Sequence, residues 1–512
     1  MATASSSSSF SSTATLLCFF FLFSLQALAQ HALGQNNPPW PYLSFTTKPD
    51  IRPPKMEVTK KGEPTAPGYL FVGPRGNEEE GTAPLIYDEE GNLIYQGPHG
   101  VVSNFRVQKI DGKDMLTFWS GDMLPLGHGY GTFHALDETY QEVYTIRLTG
   151  NYVTAYDDDR ESYIDLHETT VTKDDTLLVT CYNVTRADLT DIGGTVDAWA
   201  LDAQFYEIDI KTNEILFSWS AFEHAEWDFP ISKQPIYEKS LTQDEPYDSY
   251  HINSVEKVKD GYIISMRHVW GGFYVNRDGT MRWYLDGADG GDFLQGEGTD
   301  YSWQHDLRVF NETDEGLILN LFNNANTPKS QIEPTSGLSV HLDLVNMKVT
   351  KVKRLIDEED PIFAVSQGNY QQLENSDHVV IDYGSITVIK EFDGAGNAIM
   401  TARYGPNDIY AGYRGFKCEW AGIPFWDPDV VITPIRNNKA ELHMSWNGAT
   451  EYDNWAIFGG QARDPIGSSI HSVVERTGFE TTTVIDTTNM NYIQIAARMG
   501  DTVMRTSEIF MV

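Results

Sequence analysis

The sequence has little positive charge. It contains 37 Lys and Arg residues against 73 Asp and Glu residues, which gives a formal net charge of −36 at pH 7. Such an acidic surface repels nucleic acid and anionic membranes, so we exclude nucleic acid as a partner. It also repels anionic small molecules, so an anion site in this chain must supply its own local cations.

Long apolar runs are also scarce. The one clear run, residues 16–29, ends in Ala27-Leu28-Ala29, which fits a small-x-small cleavage site. It is shorter than the roughly 18 residues of a transmembrane helix, and no later run approaches that length. The apolar run and its cleavage site predict a signal peptide over residues 1–29, secretion to the extracellular space, and no membrane span in the mature chain. The segment before the run departs from the usual pattern, because it contains no Lys or Arg.

Only three cysteines are present, and Cys18 is removed with the predicted signal peptide. Cys181 and Cys418 can form one disulfide in a secreted protein, and the sequence leaves that pairing open. The triplets "NVT" at Asn183 and "NET" at Asn311 are glycosylation acceptors in an exported protein. We therefore expect a secreted glycoprotein.

A hairpin pattern recurs along the chain: alternating apolar residues, an Asp or Asn, a turn, and a second apolar strand. The six copies are "PLIYDEEGNLIYQGP", "TFHALDETYQEVYTI", "QFYEIDIKTNEILFSWS", "GFYVNRDGTMRWYL", "LSVHLDLVNMKVTKVKRL" and "TVIKEFDGAGNAIMTARY". Repeats of this kind predict an all-β chain with a six-bladed β-propeller over residues 30–430. The alternative is a set of hairpins in another β-sandwich.

The pattern changes near residue 430. "AELHMSWNGATEYDNWAIFGG" and "ETTTVIDTTNMNYIQIAARMG" have the alternation and turn spacing of short sandwich strands. We predict a small immunoglobulin-like or fibronectin-like β-sandwich over residues 431–512. The sequence does not reveal what this domain contributes.

Three histidines have similar surroundings. His167, His251 and His305 are each followed, about ten residues later, by a turn and an apolar strand. Equivalent positions in successive propeller blades converge on the central channel, so we expect these imidazoles to meet. The alternative for each one alone is a hydrogen-bonded structural histidine.

Polar residues near these histidines suit an anion. Asn253 lies two residues after His251, so on a strand both side chains project to the same side. Arg267 ends the next strand, and an antiparallel return brings it close to His251; its planar fork binds sulfate, phosphate or carboxylate. Asp306 directly follows His305 and is a candidate to orient an imidazole.

The runs "SYHINSVEKVKDGYIISMRH" and "SWQHDLRVF" resemble the arylsulfotransferase family, in particular its eukaryotic, largely fungal-type branch. The stretches "DAQFYEIDIKTNEILFSWSAFEH", "VSQGNYQQLENSDHVVIDYG" and "YRGFKCEWAGIP" fit the same family in order and spacing. The resemblance covers roughly residues 40–430 and implies a six-bladed propeller.

The resemblance also implies an activity: transfer of a sulfuryl group from a phenolic sulfate ester to a phenol, without a nucleotide donor. His305 matches the family's nucleophile, which carries the group as a transient sulfohistidine. His251 and Asn253 match its His-x-Asn pair, Arg267 its anion-binding arginine, and His167 a further channel histidine. The expected partners are small aromatic sulfate esters and phenols, with no cofactor and no metal.

Two other functions stay open from the sequence. Several imidazoles around a propeller axis can also hold iron or zinc, although Arg267 in the same cavity would repel a cation. A secreted propeller can instead bind a protein or glycan without catalysis. The oligomeric state is not predicted.

Overall fold

The computed structural model describes residues 40–76, 81–125, 127–224, 232–236, 239–463 and 470–512. The chain divides into two units, Met1–Pro41 and Tyr42–Val512, and all strands named below belong to the second. The predicted signal peptide, residues 1–29, lies outside the described residues. Within the described residues, no helix has the length and apolar character needed to cross a membrane.

The fold is all-β, as the alternating apolar pattern predicts. The helical segments in the described part of the chain are short 3₁₀ turns, such as Arg267–Val269. The first strands are β1 (Glu57–Lys60), β2 (Tyr69–Val72), β3 (Arg75–Gly76), β4 (Leu85–Tyr87), β5 (Leu93–Gln96), β6 (Val102–Ile110), β7 (Lys113–Met123), β8 (Gly129–Leu136), β9 (Glu142–Ile146), β10 (Thr169–Val171), β11 (Thr176–Ala187), β12 (Ala198–Asp209), β13 (Ile215–Ser220), β14 (Ile252–Val258), β15 (Gly261–Met266), β16 (Gly271–Asn276) and β17 (Met281–Asp286).

The remaining strands complete the second half of the chain. They are β18 (Leu294–Gln295), β19 (His305–Glu312), β20 (Gly316–Asn323), β21 (Ser336–Asp343), β22 (Lys348–Leu355), β23 (Asn369–Gln372), β24 (Val379–Asp382), β25 (Val388–Phe392), β26 (Ala398–Arg403), β27 (Tyr410–Ala411), β28 (Phe416–Cys418), β29 (Asp429–Ile435), β30 (Lys439–Ser445), β31 (Asn454–Gly460), β32 (Ile470–Glu475), β33 (Glu480–Asp486), β34 (Tyr492–Met499) and β35 (Thr502–Met511).

Six sheets share one plan of four antiparallel strands. Their orders are β28-β2-β4-β5, β6-β7-β8-β9, β10-β11-β12-β13, β14-β15-β16-β17, β19-β20-β21-β22 with β18 added, and β23-β24-β25-β26 with β1 added. The sheet β28-β2-β4-β5 joins strands from both ends of this region, since β28 pairs with β2.

Each of the six hairpins seen in the sequence forms the last two strands of one of these sheets. The recurring Asp stabilises the turn, because its side chain accepts backbone N–H groups two to four residues ahead. Asp88, Asp209 and Asp343 each accept two such hydrogen bonds. The hairpin repeat therefore follows from local turn chemistry.

Polar contacts link the first strand of each sheet to the next, and the series returns to its start. The contacting pairs are Ser103–Leu166, Glu168–Val255, Ser254–Leu307, Asp306–Tyr370, Asn369–Gly415 and Arg414–Asn104. In sheet order they join β6, β10, β14, β19, β23 and β28, or residues directly before these strands.

Apolar side chains fill the space between successive sheets. Phe205 of β12 packs in one cluster with Ile264 of β15, and Ile263 packs in the next cluster with Leu319 of β20; all four are buried. Burial of one such side chain stabilises the fold by roughly 1.5–3 kcal/mol. Packing between the sheets therefore fixes the places where the first strands begin.

Two further sheets follow residue 429. Their orders are β29-β30-β33 and β32-β31-β34-β35, and both surround a core that includes Leu442, Trp455 and Ile495. The hydroxyl of Tyr140 donates to the carbonyl of Gly448 at 2.6 Å, so these sheets bond to the region before them. Both belong to the unit Tyr42–Val512.

Candidate functional site

The three predicted histidines lie at the same end of three consecutive sheets. His167 precedes β10 by two residues, His251 directly precedes β14, and His305 is the first residue of β19. The rings of His167 and His251 are 4.7 Å apart, centroid to centroid, and nearly perpendicular. His251 and His305 line one cavity together with Arg267. Segments distant in sequence therefore bring their imidazoles together.

The cavity has a volume of about 380 Å³. Aromatic, cationic and imidazole groups share its wall with backbone from several connecting segments. The wall includes the side chains of His128, Lys239, Asp248, His251, Arg267, His268, Trp303 and His305. Asp248 is the one acidic residue that lines this cavity among the described residues.

His305 has a defined tautomer. Its Nδ1 lies 2.7 Å from Oδ1 of Asn324, and the Nδ2 of Asn324 donates to the carbonyls of Gln367 and Ala364. Because the amide nitrogen is committed to those carbonyls, Oδ1 faces the ring and Nδ1 carries the proton. Nε2 is left with its lone pair, which accepts the backbone N–H of Gln367 at a long 3.2 Å.

The environment keeps His305 neutral. The side chain is 1% exposed, and burial together with the charge of Arg267 holds its pKa well below the usual value near 6.5. A neutral imidazole is the nucleophilic form. At neutral pH, Nε2 of His305 is therefore available as a nucleophile.

Arg267 supplies a local positive charge in a chain whose net charge is strongly negative. Antiparallel pairing of β14 with β15 places Ile252 opposite Met266, and the Arg267 backbone N–H donates to the His251 carbonyl at 2.9 Å. One guanidinium nitrogen donates to the Val365 carbonyl at 3.0 Å. Its Nε is buried and has no hydrogen-bond partner among the described residues, so the group keeps a free donor.

Burial lowers the pKa of Arg267 to about 10, so it stays charged at neutral pH. Its guanidinium lies 5.1 Å from the ring centroid of Trp303. Trp303 is partly exposed and lines the cavity. The cation–π contact holds the guanidinium beside His305.

His251 and His167 are each oriented by a carboxylate. Nδ1 of His251 donates to Oδ2 of Asp248 at 2.6 Å, and Nδ1 of His167 donates to Oδ2 of Asp165 at 2.5 Å. In both rings the hydrogen bond fixes the tautomer and leaves Nε2 as an acceptor. His251 has φ of 56°, a conformation that is uncommon for residues other than glycine and often marks functional sites.

Two predicted residues have different contacts from those expected. A register shift between Ile252 and Ser254 interrupts the alternation, and the Asn253 amide donates to the Gln304 carbonyl at 2.7 Å. Asn253 is fully buried and does not line the cavity. The Asn253 amide thus contacts the segment directly before His305, and its expected role beside His251 stays a prediction.

The expectation that Asp306 orients an imidazole is wrong. Its Oδ1 accepts from Nε of Arg308 at 2.8 Å, and its Oδ2 accepts from the backbone N–H of Tyr370 at 3.2 Å. With φ of 53°, Asp306 turns away from the His305 side chain into a buried ion network. Asn324 takes the orienting role for His305.

Sequence reasoning missed several site residues. His128 and His268 line the cavity but lie in connections between strands, outside the repeat-equivalent positions. Asp165 and Asp248 precede their histidines by two and three residues. Two sequence features could have drawn attention to these histidines: the "GHG" around His128, and the position of His268 directly after Arg267. Neither feature indicates which residue the histidine contacts.

Two sets of three possible metal ligands occur among the described residues. They are His128, Asp165 and His167, and His128, Asp248 and His251. In each set the carboxylate already accepts the Nδ1–H of the second histidine, and a metal bound there would displace that hydrogen bond. Arg267 lies in the same cavity and repels a cation. The donor set therefore fits an anion better than a metal.

The remaining predicted positions lie away from the cavity. Cys181 and Cys418 are both free thiols. Asn311 is exposed on β19, whereas Asn183 lies on β11 and accepts the backbone N–H of Val153 at 2.7 Å. Asn311 is thus the more accessible of the two glycosylation acceptors, and their modification stays a prediction.

Comparisons with solved structures give only weak likeness. A GH43_1 enzyme from Xanthomonas citri in complex with xylotriose shows 11% identity and a TM-score of 0.22, over 56% of this chain and 83% of that one. TcdA4 from Morganella morganii shows 9% identity and a TM-score of 0.22, over 78% and 21% of the two chains. A sialidase shows 10% identity and a TM-score of 0.21, over 87% and 47%. Values this low support no argument about fold or function.

The family comparison is specific. No curated protein matches the chain. The sequence profile of the family Arylsulfotransferase (ASST) matches residues 106–405, which is more than half of the chain. This region contains His167, His251, Arg267 and His305, the residues built into and beside the cavity. The chain belongs to the arylsulfotransferase family.

Proposed function

We propose that this protein transfers a sulfuryl group from a phenolic sulfate ester to a phenolic acceptor through a transient sulfohistidine on His305, without a nucleotide donor. The observation that carries the proposal is the unprotonated Nε2 of a buried, neutral His305, held only by a long contact with the Gln367 N–H, in the cavity that Arg267 also lines. Family membership supports aryl sulfates and phenols as the substrate class.

The first half-reaction uses the geometry of His305. Nε2 attacks the sulfur in line with the leaving aryl oxygen, and this attack replaces the long contact with the Gln367 N–H. The N–S bond forms as the S–O bond breaks, and the electron pair goes to the aryl oxygen. Nδ1 keeps its proton and its hydrogen bond to Asn324, which stabilises the positive ring of the sulfohistidine.

Arg267 binds the sulfuryl oxygens. Arg267 is the one arginine that lines the cavity among the described residues, and its charge and unpartnered Nε–H suit an anion bound there. Donors already in place for developing charge cost no reorganisation during the reaction. Arg267 therefore lowers the barrier for both half-reactions.

The second half-reaction is the reverse with a different phenol. The acceptor oxygen attacks sulfur, its proton passes to a nearby imidazole, and the N–S electron pair returns to Nε2 of His305. His251 and His167 have free Nε2 atoms and carboxylate partners, so either ring suits this base role. Such a cycle gives ping-pong kinetics.

Asn253 and Asp306 take supporting roles in this proposal. Asn253 bonds to the carbonyl of Gln304, the residue directly before the nucleophile, and Asp306 directly follows it. Together they hold the backbone on both sides of His305. Asn253 is thus a positioning residue, and sulfate binding rests on Arg267.

The six four-stranded sheets, we propose, are the blades of a six-bladed propeller over residues 30–430. The cycle of polar contacts between first strands, and the pairing of β28 with β2, support ring closure. The two sheets after residue 429 suit an immunoglobulin-like or fibronectin-like sandwich. We also propose the eukaryotic, fungal-type branch, secretion directed by residues 1–29, and glycans on Asn183 and Asn311.

A transfer assay tests the function. The protein is mixed with 4-nitrophenyl sulfate and phenol without any nucleotide, and both 4-nitrophenol and phenyl sulfate are measured. We expect equal amounts of the two products, and loss of both in His305→Ala. The matched control is His341→Ala, because His341 is exposed on β21 of the same sheet. Full turnover by folded His305→Ala would exclude this histidine as the nucleophile.

A further inference from the structure

One carboxylate lines a cavity that must accept an anionic ester. An uncompensated carboxylate there would repel the sulfuryl group. Oδ2 of Asp248 lies 2.6 Å from Nδ1 of His251 and 3.4 Å from Nε2 of His128. Nδ1 of His268 lies 3.7 Å from the same oxygen and donates to the backbone carbonyl of Asp248 at 2.8 Å. Asp248 therefore lies against three imidazoles, two through its carboxylate and one through its backbone.

We propose that Asp248 is a positioning residue for the imidazoles of His128, His251 and His268. Its carboxylate keeps one additional proton on these three rings, so that one of them is positively charged, and this additional proton is transferred to the leaving phenol oxygen. We call this set the Asp248 cluster. The proposal rests on the proposed sulfuryl transfer and adds the origin of the proton that the departing aryloxide needs.

The geometry explains why the proton stays in the cluster. The ring of His128 is 2% exposed, and neither of its ring nitrogens makes a hydrogen bond to a described residue. Its centroid lies 5.2 Å from that of His251, and those of His251 and His268 are 4.7 Å apart. Oδ1 of Asp248 is buried and also has no hydrogen-bond partner among the described residues. A positive charge on one ring compensates this carboxylate.

The directions of the pKa shifts agree with one additional proton shared by the rings of the Asp248 cluster. Burial opposes a charge on His128, but Asp248 and Asp165 outweigh it and raise the pKa of this ring. Burial lowers the pKa of His251, and that of His268 to about 4, against the pull of Asp248. Burial opposes the ionised form of Asp248 as well, yet the surrounding rings keep its pKa well below the usual range.

His251 is the ring that delivers the proton. Asp248 holds its Nδ1, and the ring lines the cavity with Nε2 free. The negative sulfuryl group of a bound ester favours the proton at this atom. As the S–O bond breaks, Nε2–H gives its proton to the aryl oxygen and the cluster becomes neutral at all three rings. In the second half-reaction the acceptor hydroxyl returns one proton, so the cycle balances.

Other charged and titratable groups face this cluster. They are Arg267, Lys239, Tyr182, Tyr247, Asp165, His167 and His305. Burial raises the pKa of Tyr182, and Arg267 remains cationic, so neither loses a proton near neutral pH. We therefore expect a loss of activity as pH rises above neutral to reflect the Asp248 cluster.

The experiment compares donors with different leaving groups. Phenyl sulfate releases a basic phenoxide that needs the proton, whereas 4-nitrophenyl sulfate releases a stable phenolate. General acid catalysis contributes roughly 100-fold or more, so Asp248→Asn should slow phenyl sulfate by about that factor and 4-nitrophenyl sulfate by less than about tenfold. Asp248→Glu should restore part of the phenyl sulfate rate. The control is Asp244→Asn, an exposed neighbour in the same segment.

The pH profile is the second readout. The parent should lose kcat/KM for phenyl sulfate as pH rises through the cluster pKa, with a much smaller loss for 4-nitrophenyl sulfate. Asp248→Asn removes the group that raises the ring pKa, so its alkaline limb should move to lower pH. His128→Gln should give the same donor selectivity, which covers the case in which Asp248→Asn does not fold.

If Asp248→Asn slowed phenyl sulfate and 4-nitrophenyl sulfate by the same factor, the proposal would be overturned. The same holds if the parent protein showed identical pH profiles of kcat/KM for the two donors. These outcomes leave the nucleophile untouched, because His305→Ala is tested with either donor. A parent without any transfer would instead contradict the proposed function.

Discussion

Nδ1 of His305 donates a hydrogen bond to Oδ1 of Asn324 at 2.7 Å. This contact decides which ring nitrogen is free to react. The amide oxygen accepts this hydrogen bond without adding a negative charge beside the sulfuryl group, so the ring stays neutral and Nε2 stays nucleophilic.

Asn324→Ala should lower kcat by roughly 100-fold with little change in the donor KM, because the ring loses its fixed tautomer and orientation. The variant also leaves the carbonyl of Gln367 without its side-chain donor, whereas that of Ala364 keeps the Thr335 hydroxyl; the loss costs about 1–3 kcal/mol in stability. Steady-state kinetics and urea unfolding measure the two effects. Asn326→Ala is the control: its buried amide bonds to backbone carbonyls but does not contact His305, so stability should fall without the 100-fold loss.

The low pKa of His305 should place the acid limb of the pH profile for the 4-nitrophenol burst at unusually low pH. Burial and Arg267 hold the pKa of His305 well below 6.5, so the burst of 4-nitrophenol should persist at pH values where an ordinary histidine is protonated. Arg267→Met removes a positive neighbour, which raises the His305 pKa and moves the acid limb to higher pH. Rapid-mixing burst rates across pH measure the shift. An acid limb that stays in place or moves down would show that Arg267 does not act on this imidazole.

Arg414 links three of the first strands. Its guanidinium donates to the carbonyl of Asn253 at 2.6 Å and lies 3.4 Å from carboxylate oxygens of both Glu168 and Asp306. Because the side chain is fully buried, Arg414→Met removes one of the two guanidinium groups that face Glu168 and Asp306 and leaves Arg308 alone to balance both. The substitution should cost roughly 3–5 kcal/mol in the free energy of unfolding. Guanidinium chloride unfolding gives the value.

Arg403→Met provides the comparison for Arg414→Met. Arg403 pairs with Asp360 at a site where both side chains are more than a third exposed, and such pairs contribute about 0–1 kcal/mol. A loss of similar size in the two variants would mean that the buried network is not a stabilising connection between the sheets.

The two cysteines should behave as unpaired thiols. Burial raises the pKa of both, that of Cys418 to about 11, so neither should react quickly with a thiol reagent while the protein is folded. Both should react after unfolding without prior reduction, and a reducing agent should leave the melting temperature unchanged. A drop in melting temperature on reduction would reveal a disulfide.

Most features that could be predicted from the sequence depend on local patterns of residues. Alternation around Asp-containing turns identified the six hairpins, because turn chemistry is encoded within a few residues. The repeat-equivalent spacing of His167, His251 and His305 identified the ends of three first strands. The return of Arg267 toward His251 followed from simple antiparallel pairing.

Contacts that depend on irregular backbone could not be predicted. The register shift after Ile252 redirects Asn253, and the positive φ of Asp306 turns its carboxylate toward Arg308. Neither shows in a two-residue alternation. His128 and His268 lie in connecting segments, and Asn324 meets His305 through strand pairing of β19 with β20. Their partners are set by packing between sheets.

Trapping the sulfuryl group on the protein tests the central claim most directly. The protein is mixed with 4-nitrophenyl sulfate without acceptor, quenched in alkali to preserve an N–S bond, and digested for mass spectrometry. We predict one added SO₃ group on the peptide that contains His305, lost on addition of phenol and absent in His305→Ala. A sulfuryl group on another residue, or turnover of the parent with no such adduct, would contradict the account.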